Sequence, residues 1–169
     1  MSQSDSVTSE PNLAEPGSPE MATLAIHKGP EATLEIGGLR IAACRREIGE
    51  IDGGVSVYVF RASIPDQELV RMDLFRARPH YHAPATNQAE ESIDSEDGSS
   101  IDWGVKALSE RSRALVIEAG FPDAANEIDL SELGAAKGRL RNLFETLGEP
   151  DDVSHFEVPK SMIESLAKG

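Results

Sequence analysis

Glu68-Leu-Val-Arg-Met-Asp-Leu-Phe-Arg-Ala-Arg-Pro-His-Tyr-His82 is the densest mixture of apolar, charged and ligand-capable residues in the chain. It reads as the last and longest strand of a small sheet, ending in a histidine pair. Side chains alternate across a strand, so Val70, Met72 and Leu74 share one side and Arg71, Asp73 and Phe75 the other. Upstream, Val55, Val57 and Val59 are uniformly apolar, whereas Ser56, Tyr58 and Phe60 are amphipathic. The sheet is expected to have a plain core face and a mixed face carrying Tyr58, Phe60, Arg71, Asp73 and Phe75.

Turn chemistry sets the strand count. Thr33–Ile36 and Leu39–Arg45 alternate around Gly37-Gly38, a pair suited to the positive φ of a tight hairpin. Asp52-Gly53-Gly54 and Pro65-Asp66-Gln67 read as two further turns. Connections this short make neighbouring strands antiparallel. The expectation is a four-stranded antiparallel β-meander over residues 32–82.

The second half changes period. Ile101, Val105, Leu108, Leu115, Val116 and Ala119 fall on one side of a helix, with Ser100 or Asp102 as cap and Gly120 as stop. Asp129 and Glu132 form a capping box for a second helix, through Leu140 and Phe144 to Leu147, ended by Gly148 and Pro150. Pro159 opens a short last one. The fold class is therefore α+β, the meander packed against two or three C-terminal helices.

At 169 residues the chain has room for one domain. Residues 31–169 are read as that domain. Residues 1–30 are read as an acidic, disordered tail, poorest in apolar surface up to Ala22, with Thr23–Ile26 offering a short edge strand. The net charge of -14 lies mostly outside the predicted elements: residues 83–102 carry six acids and no base, an acidic loop. This balance repels phosphate backbones, so general nucleic-acid binding is not expected, while a basic protein partner or a second copy remains open. Mean hydropathy is -0.32 with no long apolar run, which argues against a membrane span. The lone Cys44 and the absence of a signal-peptide pattern fit a cytoplasmic setting.

Two constellations carry chemistry. His80 and His82, at i and i+2 of an extended strand, point the same way and suit adjacent positions on a metal. Asp73, Glu90 or Glu91 would supply the carboxylate of a two-His-one-carboxylate set for divalent Fe, Mn or Zn. Counted along one strand, Asp73 falls on the opposite side from both histidines, so a bulge or a kink at Pro79 is needed. The second constellation is the run of seven arginines, with no lysine, between residues 31 and 82. Tyr58, Arg71, Arg76 and Tyr81 are the ligand-binding candidates on the mixed face; the plainer reading pairs these arginines with neighbouring acids. Cys44, beside Arg45 and Arg46, reads as a buried residue before a nucleophile.

Arg71-x-Asp73-x-Phe75, Pro79-His80-Tyr81-His82 and a helix from Trp103 to Ala119 resemble a pattern of uncharacterised small bacterial proteins over residues 68–119. The resemblance implies a compact α+β domain and brings no activity. H-x-H also invites comparison with the cupins, but Glu90 stands eight residues after His82 where their motif has four or five. A fainter likeness is to small bacterial toxins of toxin–antitoxin pairs. It implies RNA cleavage with His80 or His82 as general acid–base, although this chain lacks their basic balance. The leading functional reading is a small accessory or ligand-binding protein, with a metal-dependent enzyme and a toxin-like enzyme as alternatives.

Overall fold

Gly37 and Gly38 hold φ of 60° and 85° and close a tight hairpin, as expected. A computed structural model describes residues 19–95 and 98–167; the first 18 residues of the tail expected over residues 1–30 lie outside them. The strands are β1 (Met21–Lys28), β2 (Ala32–Ile36), β3 (Leu39–Ile48), β4 (Asp52–Arg61), β5 (Ile64–Phe75), β6 (His80–His82), β7 (Glu91–Ser92) and β8 (Asp152–Pro159). The helices are α1 (Ser100–Glu110), α2 (Ser112–Glu118), α3 (Pro122–Ala125), α4 (Leu130–Ala135), α5 (Lys137–Glu145) and α6 (Lys160–Ala167).

The α+β class and the antiparallel pairing are as expected, but among the described residues the sheet has eight strands, not four, and six helices follow where two or three were expected. The order of the sheet is β7-β6-β5-β4-β3-β1-β8, with β2 also on β3. The long strand expected over residues 68–82 is two strands, β5 and β6, reversed through Arg76–Pro79. Residues 21–28, expected in the tail, form β1. It is held because β8 pairs with it from Met21↔Pro159 to Lys28↔Asp152. β1 and β2 lie end to end along one edge of β3. The ladder persists through Gly29, whose N–H donates to the Arg45 carbonyl at 2.8 Å, and breaks at Pro30, which has no N–H to give.

Two turns fall elsewhere than expected. The β3–β4 turn is at residues 49–51, with Gly49 at φ 55°, and Asp52-Gly53-Gly54 opens β4 instead. The β4–β5 turn is at Ala62–Ser63, and Pro65 lies at the exposed, irregular start of β5, where a strand tolerates proline. A register shift beside Val59 and Phe60 turns both Leu69 and Val70 inward.

The helices cover the apolar face. Ile41, Val57, Val70 and Met72 are at most 1% exposed and pack with Leu108, Leu115, Leu133, Leu140 and Phe144. Burying each such side chain contributes about 1.5–3 kcal/mol. Where one helix was expected to run to Ala119, the chain breaks at Arg111 (φ -126°, ψ 11°) between α1 and α2. Ser99, not Ser100 or Asp102, caps α1, in a reciprocal box with Asp102. Asp129 caps α4 as expected, but Glu132 turns away to take the Gly37 N–H at 2.7 Å, tying the β2–β3 hairpin to the helical layer.

On the other face the sheet curls. Leu24 of β1 packs with Ile48 and Phe75, and Val158 of β8 joins them in a second, smaller core. β1 and β8 therefore stand back across the mixed face. No helix among the described residues is long and apolar enough to cross a membrane.

Gly38 has no room for a side chain: a Cβ there would lie 2.1 Å from the Glu127 carbonyl oxygen, on a backbone at φ 85°. Gly38→Ala is expected to cost at least ~2 kcal/mol, from strain plus the displaced contact, as a lower urea midpoint. Glu127 clamps the same corner. Arg61 and Ser63 hydrogen-bond its carboxylate and hold it down to about 2, from an ordinary 4.5. Its folded pKa is depressed, so its contribution is complete above pH 4.5 and lost as pH falls toward about 2. Glu127→Gln should flatten that part of the acid-unfolding curve and leave the curve above pH 6 parallel to wild type.

Candidate metal centre

The mixed face gathers its ligands through strand register. β5 and β6 pair Asp73↔His80, Met72↔Tyr81 and Arg71↔His82. Residues directly opposite one another in an antiparallel pair point to the same face. Asp73 and both histidines are therefore on one side, and the opposite-side expectation is wrong. It counted alternation through Arg76–Pro79, where the chain reverses and the count restarts.

The reversal is gripped from below. The Asp52 carboxylate, 7% exposed, accepts the N–H groups of Gly53 (2.8 Å), Ala77 (2.9 Å) and Arg78 (2.9 Å). Arg76 N–H adds a bond to the Gly53 carbonyl at 2.9 Å. Three backbone donors, of Arg76, Ala77 and Arg78, thus position the segment that delivers His80.

Ser56, Asp73 and His80 form a row across β4, β5 and β6. The Ser56 hydroxyl donates to Asp73 Oδ1 at 2.7 Å, and Arg46 Nη1 stands 3.6 Å from the same oxygen. Asp73 Oδ2 faces His80 Nε2 at 3.0 Å and His82 Nε2 at 3.9 Å. Glu90 Oε2 is 3.6 Å from His80 Nε2, and its other oxygen accepts from Arg78 at 2.7 Å. Asp73 and His80 are buried and His82 half-buried.

Both rings are oriented from behind. His80 Nδ1 lies 2.8 Å from the Arg78 carbonyl and His82 Nδ1 2.7 Å from the Asn87 carbonyl. A carbonyl only accepts, so each Nδ1 carries the hydrogen and each Nε2 is left to face Asp73. Nδ1 tied to a carbonyl and Nε2 presented forward is the arrangement of metal-ligating histidines. The rings cross at 87° with centroids 5.2 Å apart, and Phe75 packs edge-on against His80.

Burial alone would raise the Asp73 carboxyl, but the hydrogen bonds of His80 and Ser56, with the charges of His80 and Arg46, hold it below its ordinary value. Burial likewise opposes a charged His80. The bonds to Asp73 and the Arg78 carbonyl, with the charges of Asp73 and Glu90, outweigh it and raise the imidazole. The acidic surroundings thus favour positive charge at this point of the face.

One ligand atom from each of Asp73, His80 and His82 lies within 4.8 Å of the others, so the group could hold a metal ion. Ligand atoms on a shared ion at about 2.1 Å sit roughly 3–3.4 Å apart; Asp73 Oδ2 and His80 Nε2 already stand 3.0 Å apart, and His82 Nε2, at 3.9 Å, would have to move in.

The ligand-binding candidates divide. Tyr58 and Arg71 are together on the mixed face, with the Arg71 guanidinium 5.0 Å from the Tyr58 ring. Arg76 is away from them, paired through both nitrogens with Glu47. Tyr81 is on the opposite, helix-covered face, stacked on Trp103 and bonded to Glu118, because it alternates with the two histidines. Arg45, Arg61, Arg71, Arg76 and Arg78 each pair with a glutamate, as the plainer reading of the arginines had it. Burial pushes the Cys44 thiol up, which disfavours a thiolate. Glu91 is exposed in β7. Ser56, Arg46 and Asp52 were not singled out from sequence. Only the serine set among the valines of β4 offered a signal.

The chain belongs to the DUF7700 family, a domain of unknown function, whose model matches residues 33–150. No curated protein and no solved structure shows significant similarity to it. The matched segment contains Asp73, His80, His82 and Glu90, and leaves β1, β8 and α6 outside.

Removing the Asp52 carboxylate strands three backbone donors. Asp52→Ala is expected to cost about 1–3 kcal/mol. Hydrogen exchange of the Ala77 and Arg78 amides should speed up well beyond what global destabilisation accounts for; equal protection would refute the anchoring role.

Proposed function

We propose that this chain is a metal-binding protein in which Asp73, His80 and His82 hold one divalent transition metal, Fe(II), Mn(II) or Zn(II), in a site of the kind metal-dependent enzymes use. The observation that carries the reading is the pair of Nδ1–carbonyl bonds, at 2.8 and 2.7 Å, which turn both Nε2 atoms toward one carboxylate oxygen. Holding two imidazoles that way restricts both rings, and a shared cation is what repays the restriction. Two nitrogens and one oxygen suit these metals better than Ca(II) or Mg(II), which prefer oxygen.

Three protein ligands leave coordination positions open. Structural zinc sites are closed by four protein ligands, whereas catalytic sites keep a place for water or substrate. Glu90, at the rim and already paired with Arg78, would serve as a proton acceptor beside such an ion or join its sphere. Ser56 and Arg46 keep Asp73 ionised and aimed. The acidic balance of the chain works against the RNA-cleaving alternative.

Calorimetric titration of tag-free, metal-stripped protein with Zn(II), Mn(II) and, without oxygen, Fe(II) tests the reading. One site per chain is expected. His80→Ala and His82→Ala should each weaken it at least ~100-fold, and Glu90→Gln by roughly 10-fold. Equal uptake by wild type and the double histidine variant would sink the proposal.

A further inference from the structure

Because the sheet curls, a groove of about 450 Å³ separates β1 and β8 from the mixed face of β4 and β5. That is the size of a small-molecule site. Tyr58 and Phe60 from one wall and Phe156 from the other give it aromatic surface. Phe156 remains 48% exposed, a large apolar side chain left facing this space and solvent.

The charges in the groove are balanced, and most of them cancel locally. Lys28 pairs with Glu31 at 3.4 Å and Arg71 with Glu68 at 3.2 Å. Two groups are left. Arg46 has one acid near it, Asp73 at 3.6 Å, a carboxylate outside the groove that also serves His80. Asp152 has no ion-pair partner among the described residues. Register relates the two: Lys28 stands opposite Arg46 on β3 and opposite Asp152 on β8. Arg46, Lys28 and Asp152 thus form a row across three strands, and neighbouring strands are ~4.8 Å apart, so the outer Cα atoms are separated by roughly 10 Å.

A ligand of one charge would answer only one of these groups and leave the other, Arg46 or the exposed Asp152, to water. A molecule with both charges answers both. We infer that the groove binds a small zwitterion with an apolar or aromatic body, the chemistry of a free amino acid. Arg46 takes its carboxylate, with Lys28 beside it. Asp152 takes its ammonium group, and the body lies along Tyr58, Phe60 and Phe156. Arg46 also donates to the Ser56 hydroxyl at 3.3 Å, so the cation that holds the ligand touches the row that aims Asp73. The groove is complete without a metal, so this assignment stands or falls separately from the metal reading.

The test is a titration of the full, metal-free chain with three probes, followed by calorimetry and amide chemical shifts. L-Phenylalanine has both charges, N-acetyl-L-phenylalanine has only the carboxylate, and phenethylamine has only the ammonium group. L-Phenylalanine should bind at least ~10-fold tighter than either, the value of one charge-assisted contact. Arg46→Met should abolish its advantage over phenethylamine, and Asp152→Asn its advantage over the acetylated probe. Asp152 is on an exposed edge strand, so its variant tests the assignment even where Arg46→Met disturbs folding. Non-saturable binding of L-phenylalanine, equal binding of all three probes, or an Asp152→Asn protein that discriminates like wild type would overturn it.

Discussion

The register between β5 and β6 is the constraint from which the candidate site follows. A slip by one residue would send His80 and His82 to the helix-covered face and bring Tyr81 out. Two things prevent it. The opposite face needs Met72 and Tyr81 in the core, so burial penalises the slip. The buried Asp52 carboxylate fixes the connecting turn through amide donors and leaves no slack for an extra residue. A hydrophobic preference and a polar clamp thus enforce the same pairing from opposite sides of the sheet.

The two faces divide the work. The helix side is built from Val, Leu, Ile and Ala at near-zero exposure and supplies most of the burial that offsets chain entropy. The mixed side keeps polar groups half-covered, and almost every one of them is matched. Ser56 satisfies one oxygen of Asp73, two imidazoles face the other, and five of the arginines each find a glutamate. A buried carboxylate with this many partners stays charged, which a cation site needs and a core does not.

Much of this was legible in the residues. Gly37-Gly38, the valine alternation of β4 and the histidine pair mark the hairpin, the core face and the chemistry directly, because each is a local rule. What was not legible is relational. Of β1 only the short Thr23–Ile26 was legible, inside an expected tail, and no strand was expected at β8. Their strand character comes from each other, across a separation that periodicity cannot see. Parity misplaced Asp73 because a turn was read as strand. Asp52-Gly53-Gly54 resembles a hairpin turn, yet Gly54 is spent where β4 passes close under the Leu74 carbonyl, and the true turn took Gly49. Tyr81 went to the wrong face as a candidate because its ring is as suited to a core as to a ligand.

The ladder between β1 and β8 joins the far ends of the described chain, from Met21 against Pro159 to Lys28 against Asp152. Closing so long a loop costs more entropy than any hairpin in the molecule, and its return comes only after the central strands exist to receive β1. Loop entropy favours an order of assembly with the hairpins first, the imidazole–carboxylate cluster with them, and the outer wall of the groove last. β8, at one edge, is also easily peeled away, so loosening there widens the cleft while the deeper ladder stays shut.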